Sequence, residues 1–380
     1  FDLQLAARYE DFSDIGSKSV PKISFGWQVD DSFYFRGSWS KGFRAPNLVQ
    51  VNETIVSRQI FGVDALLCLQ QINNNGEIDY CDYSFQRVAR GSKNLRPEES
   101  TNISLGIIYE PKNIDNLVFT IDWWEIEKED TIGLFGEDNI LLSDLVLRME
   151  TNNISDCSLV QSSPYVFRDS LEENEIQEYL QAGICPAGRV SRVEEQYRNL
   201  DTRIISGFDF SARYLVNSDY GNFNFIVNIS KLEKFRQKAG NDFIELIDAQ
   251  EKGIIPEELA ITGFSDLIEK DGSPKIQANF KFLWNRGSWG LGLFGRHIGE
   301  FYETRNKLSD GRLWKVKAYN TINTFIDYNF KISGSQSNLR FGINNIADER
   351  APLASDIFGY YIDKHDNLGR SYYINFIHRY

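Results

Sequence analysis

The segment Arg370-Ser371-Tyr372-Tyr373-Ile374-Asn375-Phe376-Ile377-His378-Arg379-Tyr380 ends the chain and alternates between an apolar and a polar face. The apolar face carries Tyr372, Ile374, Phe376 and Tyr380. A period of two residues predicts a β-strand. An apolar face that ends on an aromatic side chain is typical of membrane β-barrels at the bilayer interface. The competing interpretation is an edge strand of a soluble β-sandwich.

The composition of the 380-residue chain narrows the class of protein. Aromatic residues make up 14%, which suits sheets and the aromatic girdles of membrane barrels. No run of about 18 apolar residues is present, so the sequence predicts no transmembrane helix. The net charge of −13 argues against a nucleic-acid backbone as partner. The chain begins in a strand pattern without a signal peptide, so we expect its start to have been removed by processing or to lie outside this sequence.

Further segments alternate in the same way, which gives about twelve predicted strands with the C-terminal one included. They lie at 1–9, 23–29, 33–39, 103–109, 117–123, 204–214, 223–229, 276–284, 289–293, 322–330 and 339–343. Their opposite faces carry polar and charged side chains, among them Arg36, Asp122 and Arg340. A water-filled barrel interior accounts for such faces directly, and one sandwich would not need so many strands.

The connections between these segments alternate between short and long. The long connections run through about 43–98, 129–200, 236–274, 299–317 and 347–369, and the one exception is a modest loop near 11–19. Membrane barrels have short periplasmic turns and long extracellular loops, whereas a soluble meander has no reason to place every long loop at one end. The sequence therefore predicts a transmembrane antiparallel β-barrel, and the segments 141–149 and 171–180 predict short helices within its long loops.

The four cysteines form two sequence-local pairs inside long loops. Cys68 and Cys81 lie in one loop, and Cys157 and Cys185 lie in another. Two loop disulfides fit an oxidising, extracytoplasmic compartment. A four-cysteine zinc site is the alternative, although the spacings do not match those of zinc knuckles.

Four segments, in order along the chain, resemble the C-terminal part of TonB-dependent outer-membrane receptors. They are Ser38–Asn47 with its Phe-Arg-Ala-Pro-Asn ending, Asn94–Ser100 followed by Leu105-Gly106, Gly342–Asp348, and Gly369-Arg370 before the aromatic last strand. The resemblance covers essentially the whole chain. It implies that residues 1–380 are about the last twelve strands of a 22-stranded barrel, with the plug domain, the TonB box and the first strands absent.

The resemblance also implies a location and partners. It places the protein in the outer membrane of a Gram-negative bacterium, in contact with lipid, with an N-terminal plug and the remaining strands, and with the TonB complex. The function implied is energised uptake of a scarce nutrient, with an oligosaccharide slightly favoured over an iron chelate. A passive porin-like channel and a soluble glycan-binding β-protein are the alternatives. No nucleophile motif, phosphate loop or metal set is visible, so we predict neither an enzyme nor a cofactor.

Substrate contacts are expected on the barrel lumen and on the loops. Arg44 is expected at the lumen mouth, with a structural ion pair to a nearby carboxylate as the alternative. Lumen-facing residues, which line a substrate path or contact the plug, include Asp122, Trp124 and Arg296. Aromatic rings stack on sugars or aryl chelates and arginines pair with anions, so the loop candidates for capture are Tyr165, Arg168, Tyr302, Arg305, Trp314, Tyr360 and Tyr361.

Overall fold

Strands dominate the structure, a computed structural model that describes residues 1–12, 16–52, 55–76, 78, 81–308, 311–355 and 358–379. The strands are β1 (Asp2–Phe12), β2 (Gly16–Gln28), β3 (Phe33–Arg44), β4 (Ile55–Val63), β5 (Asp82–Arg90), β6 (Glu98–Tyr109), β7 (Leu117–Glu129), β8 (Thr131–Gly133), β9 (Val166–Arg168), β10 (Val190–Gln196), β11 (Arg198–Leu200), β12 (Arg203–Ser218), β13 (Gly221–Gln237), β14 (Ser265–Asp266), β15 (Ile276–Arg286), β16 (Trp289–Ile298), β17 (Phe301–Lys307), β18 (Leu313–Val316), β19 (Tyr319–Ile332), β20 (Ser335–Asn344) and β21 (Ser371–His378). The helices are α1 (Leu48–Val51), α2 (Ala65–Asn75), α3 (Glu137–Glu150), α4 (Glu173–Gln181) and α5 (Asn241–Glu251).

One large antiparallel sheet organises the chain. Its strand order is β1-β2-β3-β6-β7-β12-β13-β15-β16-β19-β20-β21, with the two-residue strand β14 attached to β13. These twelve neighbours are the twelve segments that the alternation predicted, in the predicted order, and the all-β antiparallel fold is confirmed. Among the described residues, β1 and β21 occupy the two ends of this order. No helix in the described ranges is both long and apolar enough to cross a membrane.

The register keeps the two faces of the sheet separate across all twelve strands. On the apolar face, Ile107 pairs with Ile121 and Leu105 pairs with Trp123. Ile107, Ile121 and Leu105 are exposed, and Trp123 is partly exposed. On the polar face, the hydroxyl oxygens of Ser38 and Ser104 lie 2.8 Å apart. A one-residue slip in any strand would exchange the two faces, so the hydrophobic pattern fixes the register.

Adjacent isoleucines on β6 provide a direct test of which face contacts lipid. Ile107 lies on the apolar face, and Ile108 lies on the polar face opposite Thr120. We expect Ile107→Arg to destabilise the protein in lipid by about 1–3 kcal/mol, because a guanidinium on the lipid face costs about 2–4 kcal/mol at the bilayer midplane and less towards the interface, and Ile107 lies two residues before the end of β6. Ile108→Arg is the matched control, and its loss in the free energy of unfolding should be less than half that of Ile107→Arg. Equal losses for the two variants, measured by urea unfolding in lipid vesicles, would contradict this assignment of the faces.

Short turns and long loops alternate at the two ends of the sheet. The turns are 29–32, 110–116, 219–220, 287–288 and 333–334. We name the long loops loop A (45–97), loop B (130–202), loop C (238–275), loop D (299–318) and loop E (345–370). The first connection departs from its expected span of 11–19, because β1 continues to Phe12 and β2 begins at Gly16.

Loops A, B and C share a hydrophobic core of their own. A second sheet, β4-β5-β10-β9, joins strands of loops A and B, and α2, α3, α4 and α5 pack around it. Leu66 of loop A, Leu145 of loop B and Leu246 of loop C are all buried in this core. The two predicted loop helices are present as α3 and α4, and both predicted disulfides are formed, Cys68–Cys81 and Cys157–Cys185.

Candidate functional site

The polar face of the sheet carries a charged cluster where strands meet the long loops. Arg44 ends β3 and Glu98 begins β6, and the two residues are partners in the register. Arg44 Nε lies 2.5 Å from Glu98 Oε2, and Glu98 Oε1 accepts the backbone N–H of Ile132 at 2.8 Å. The Glu98 carboxylate is only 2% exposed. The ion pair that the sequence allowed for Arg44 is therefore present, and it joins two of the motif segments.

Two further cations complete this cluster. Lys128, near the end of β7, places Nζ 3.3 Å from Glu98 Oε2. Lys128 is also the register partner of Arg203, the first residue of β12, and Arg203 Nε donates to Gln237 Oε1 at 2.9 Å. Like charges directly opposite on neighbouring strands destabilise a sheet. We name Arg44, Glu98, Lys128, Arg203 and Gln237 the mouth cluster, in which three cations surround a single carboxylate.

Aromatic rings lie on the same face of the sheet as the mouth cluster. Trp124 of β7 is the register partner of Gly207, and a Cβ at Gly207 would lie 2.5 Å from the Lys231 carbonyl oxygen and 3.3 Å from Trp124 Cζ2, so this position requires glycine. The indole Nε1 is buried without a hydrogen-bond partner among the described atoms. The guanidinium of Arg203 lies 5.8 Å from the ring centroid of Phe235. Cations and aromatic rings side by side suit a ligand that carries both negative charge and rings.

Other charges on the polar face are already paired. Arg36 and Asp122 form a bidentate contact, with Nη2–Oδ2 at 2.6 Å, across the intervening strand at Gly106. A Cβ at Gly106 would lie 2.0 Å from Asp122 Oδ1, so this pair requires glycine between its partners. Arg340 forms a similar ion pair, with its Nε 2.7 Å from Asp327 Oδ1. Arg296 is exposed on β16 and makes no ion pair within the described part of the chain.

Arg168 is placed differently from its expected role in ligand capture. Its side chain is 7% exposed and bridges Asp64 at 2.9 Å and Asp144 at 3.1 Å inside the shared core of loops A, B and C. Burial alone would lower the pKa of Arg168, but the two carboxylates outweigh burial and raise the pKa. The Tyr83 hydroxyl donates to Asp64 at 2.7 Å, and burial followed by the Asp64 charge raises the pKa of Tyr83. Arg168 is thus buried in an ion-pair network instead of being exposed for capture, whereas Tyr165 nearby is exposed.

The remaining loop candidates lie in loops D and E. Tyr302 is half-buried in β17, with Lys315 Nζ 5.8 Å from its ring centroid. Trp314 Nε1 donates to the backbone carbonyl of Leu353 at 3.0 Å. Tyr361 packs edge-on against Phe301, and Tyr360 beside it is half-buried. The side chain of Arg305 lies outside the described part of the structure. Trp314 and Tyr361 therefore join loops D and E. The predicted contact of these loop residues with a ligand stays a prediction.

Sequence reasoning missed Glu98 as the centre of the cluster and missed Lys128, Arg203, Gln237 and Phe235 altogether. Each of these residues stands on a polar face or at a strand end, which is a visible signal. The sequence does not show that the strand ends carrying them are neighbours. Across the described ranges, no group of three His, Cys, Asp or Glu side chains is arranged to hold a metal ion.

Comparison with known proteins identifies the family. Residues 1–346 match the sequence model described as "TonB dependent receptor-like, beta-barrel". The chain belongs to the TonB-dependent receptor family. Proteins of this family are outer-membrane receptors of Gram-negative bacteria, so the predicted barrel class and location are confirmed. The TonB-dependent receptors similar to this chain are transport proteins and not enzymes.

Individual TonB-dependent receptors resemble the chain over different lengths. The "Probable TonB-dependent siderophore receptor PirA" of Acinetobacter baumannii is 27% identical over 131 residues, which cover 34% of this chain and 15% of that protein. The crystal structure of the siderophore receptor PirA from Acinetobacter baumannii has a TM-score of 0.57 and 18% identity, covering 99% of this chain and 43% of that one. A point mutant of the ferric enterobactin receptor PfeA from Pseudomonas aeruginosa has a TM-score of 0.57 and 15% identity. This match covers 98% of this chain and 42% of that one. The chain therefore spans less than half the length of these receptors.

Proposed function

We propose that residues 1–380 form the C-terminal part of the barrel of a TonB-dependent transporter that imports an anionic, ring-bearing iron chelate. An N-terminal plug, the preceding barrel strands and the TonB complex are its proposed partners. Among the described residues the strand order ends at β1 and β21, and the similar receptors are more than twice as long as this chain, which supports this part-barrel interpretation. The soluble glycan-binding alternative does not fit an outer-membrane family.

The excess of positive charge in the mouth cluster is the observation that supports an anionic ligand. Lys128 and Arg203 face each other in the register, and the carboxylate of Glu98 is already shared with Arg44. An anionic oxygen between Lys128 and Arg203 would relieve their repulsion through charge-assisted hydrogen bonds. Trp124 is on the same face four residues before Lys128 on β7, and an aryl group of the same ligand would stack on its ring. The names of the similar siderophore receptors point the same way, so the iron chelate replaces the oligosaccharide as the preferred substrate.

Binding of ferric enterobactin to the complete receptor tests this proposal. We expect Lys128→Gln and Arg203→Gln each to raise the Kd by about tenfold to a hundredfold, because each removes a charge-assisted contact of about 1.5–3 kcal/mol. The matched control is Lys41→Gln, because Lys41 is an exposed cation near the same end of β3 on the opposite face of the sheet. A neutral oligosaccharide serves as the second ligand. Unchanged chelate binding in both cluster variants, or tighter binding of the oligosaccharide than of the chelate, would refute the proposal.

A further inference from the structure

A buried histidine joins loops D and E. The side chain of His365 in loop E is 4% exposed. Its ring lies parallel to Phe301 at a centroid distance of 6.1 Å and edge-on to Tyr319 at 5.2 Å. Neither ring nitrogen has a hydrogen-bond partner among the described atoms. Buried polar groups nearly always have such partners, so this imidazole calls for a physical explanation.

The contacts around His365 form one connected patch, which we name the loop clasp. Besides the aromatic packing of His365 on Phe301 and Tyr319, three hydrogen bonds cross from loop D and β19 to loop E. They are Trp314 Nε1 to the Leu353 carbonyl at 3.0 Å, the Ser355 N–H to Glu303 Oε1 at 2.9 Å, and the Tyr319 hydroxyl to the Asp366 carbonyl at 2.6 Å. The loop clasp therefore fixes the position of loop E relative to β17, β18 and β19.

We propose that His365 makes the loop clasp sensitive to acid, because the clasp accommodates a neutral imidazole and has no place for an imidazolium. Protonation would create a charge whose two N–H groups have no acceptor inside the packed aromatic patch, and burying an unpaired charge is costly. Separation of loop E from loop D would remove this cost, because it would return the imidazolium to water.

The charged groups near His365 increase the cost of a proton. Burial, followed by the positive charges of Arg296 on β16 and Lys364 on loop E, lowers the pKa of His365 below its ordinary value. The neighbouring acidic groups are already engaged. Glu303 on β17 accepts the Ser355 N–H, the Asp366 carboxylate on loop E accepts the Leu368 N–H at 2.9 Å, and Asp271 on loop C accepts from Thr304.

The lowered pKa of His365 determines how the stability of the loop clasp changes with pH. The released histidine has an ordinary pKa of about 6.5, so the clasp keeps its full stability above that pH. Below it, the open form binds the proton more strongly, and the clasp loses stability as the pH falls towards the lowered pKa of the closed form. One proton permits at most about a tenfold change in the opening equilibrium per pH unit.

Opening of the clasp would expose part of the lumen wall. A cavity of about 290 Å³ lies beneath it, and its lining includes Arg296, Tyr319 and Asp366. Arg296 is exposed and has no ion-pair partner in the described part of the chain, and the acid-opened form would leave this cation without the loop E residues that line the cavity with it. This inference does not depend on the identity of the transported ligand.

Hydrogen–deuterium exchange of the complete receptor in detergent micelles at pH 7.5 and pH 5.0 tests the clasp. After correction for intrinsic exchange rates, we expect the protection of loop E around His365 to fall by about tenfold at the lower pH. His365→Phe retains an aromatic ring in the same place and should abolish this fall. His365→Gln, which cannot be protonated, serves as a second variant in case the phenylalanine variant does not assemble.

The chain also offers a matched control. His297 belongs to β16, and its Nδ1 lies 2.7 Å from Asn320 Oδ1, so this ring already has a partner. The His297→Gln variant should keep the acid response of the native protein. Protection that is the same at both pH values in the native receptor would overturn the proposal. An acid response that persists in His365→Phe or His365→Gln would overturn it as well.

Discussion

Replacing Arg168 with alanine is expected to destabilise the shared core of loops A, B and C by about 3–5 kcal/mol. The guanidinium lies between the Asp64 and Asp144 carboxylates, and the side chains of both aspartates are 0% exposed. Without Arg168, two buried negative charges lose their principal partner. Arg148 at 2.9 Å would still compensate Asp144, but among the described residues Asp64 would retain only the Tyr83 hydroxyl and the N–H of Val190.

Limited proteolysis along a temperature ramp measures this loss, because it reports on the loops separately from the barrel. We expect cleavage within 130–202 at temperatures where the native loops resist the protease, while the heat-dependent gel shift of the barrel is unchanged. Arg189→Ala is the control, because the Arg189 side chain is 57% exposed and lies 3.7 Å from Glu175. Exposed pairs of this kind contribute about 0–1 kcal/mol. Equal protease resistance in Arg168→Ala and Arg189→Ala would contradict a supporting role for the buried pair.

Removing the Cys157–Cys185 disulfide is the second change with a large expected effect. The bond closes a sequence separation of 28 residues, for which loop-closure entropy gives about 3.5 kcal/mol. The double variant Cys157→Ser with Cys185→Ser should therefore lower the urea midpoint for protease resistance of loop B. The free segment would include the 3₁₀ turn Cys157–Leu159 and its neighbours before β9.

A reducing agent provides the internal control for the disulfide. Dithiothreitol should lower the midpoint of the native loops by more than it lowers that of the double-serine variant, in which only Cys68–Cys81 of the two bonds remains to be reduced. The shorter separation of 13 residues between Cys68 and Cys81 corresponds to about 3 kcal/mol, so both bonds contribute to the reductant effect. A double-serine variant with the native midpoint under oxidising conditions would show that packing alone holds loop B.

The order of strands was predictable because each strand carries its own signal. The alternation of Leu117, Phe119, Ile121 and Trp123 marks β7 without reference to any other part of the chain. The unequal connections then separate the two ends of the sheet. The alternation did not predict how far the strands continue beyond their apolar segments. β7 continues to Glu129 and β12 begins at Arg203, where charged residues replace the apolar ones and hide the period.

The candidate site was less predictable because its charges meet through the register of different strands. Glu98 and Arg203 are more than 100 positions apart along the chain, yet both lie within reach of Lys128. Arg168 shows the opposite error. An arginine in a long polar loop predicts exposure, and only the folded loops reveal that Asp64 and Asp144 enclose it. For both the mouth cluster and Arg168, the sequence shows the charged side chains but does not show which residues they contact.

The shared core of loops A, B and C also implies an order of assembly. Each disulfide closes within one loop, Cys68–Cys81 in loop A and Cys157–Cys185 in loop B, so both can form before any contact between loops. The core itself needs Leu66, Leu145 and Leu246 from three separate loops. Contacts between segments so distant along the chain form slowly. We therefore expect the outer surface of the receptor to mature last, after the hairpins that carry these loops have been paired in the membrane.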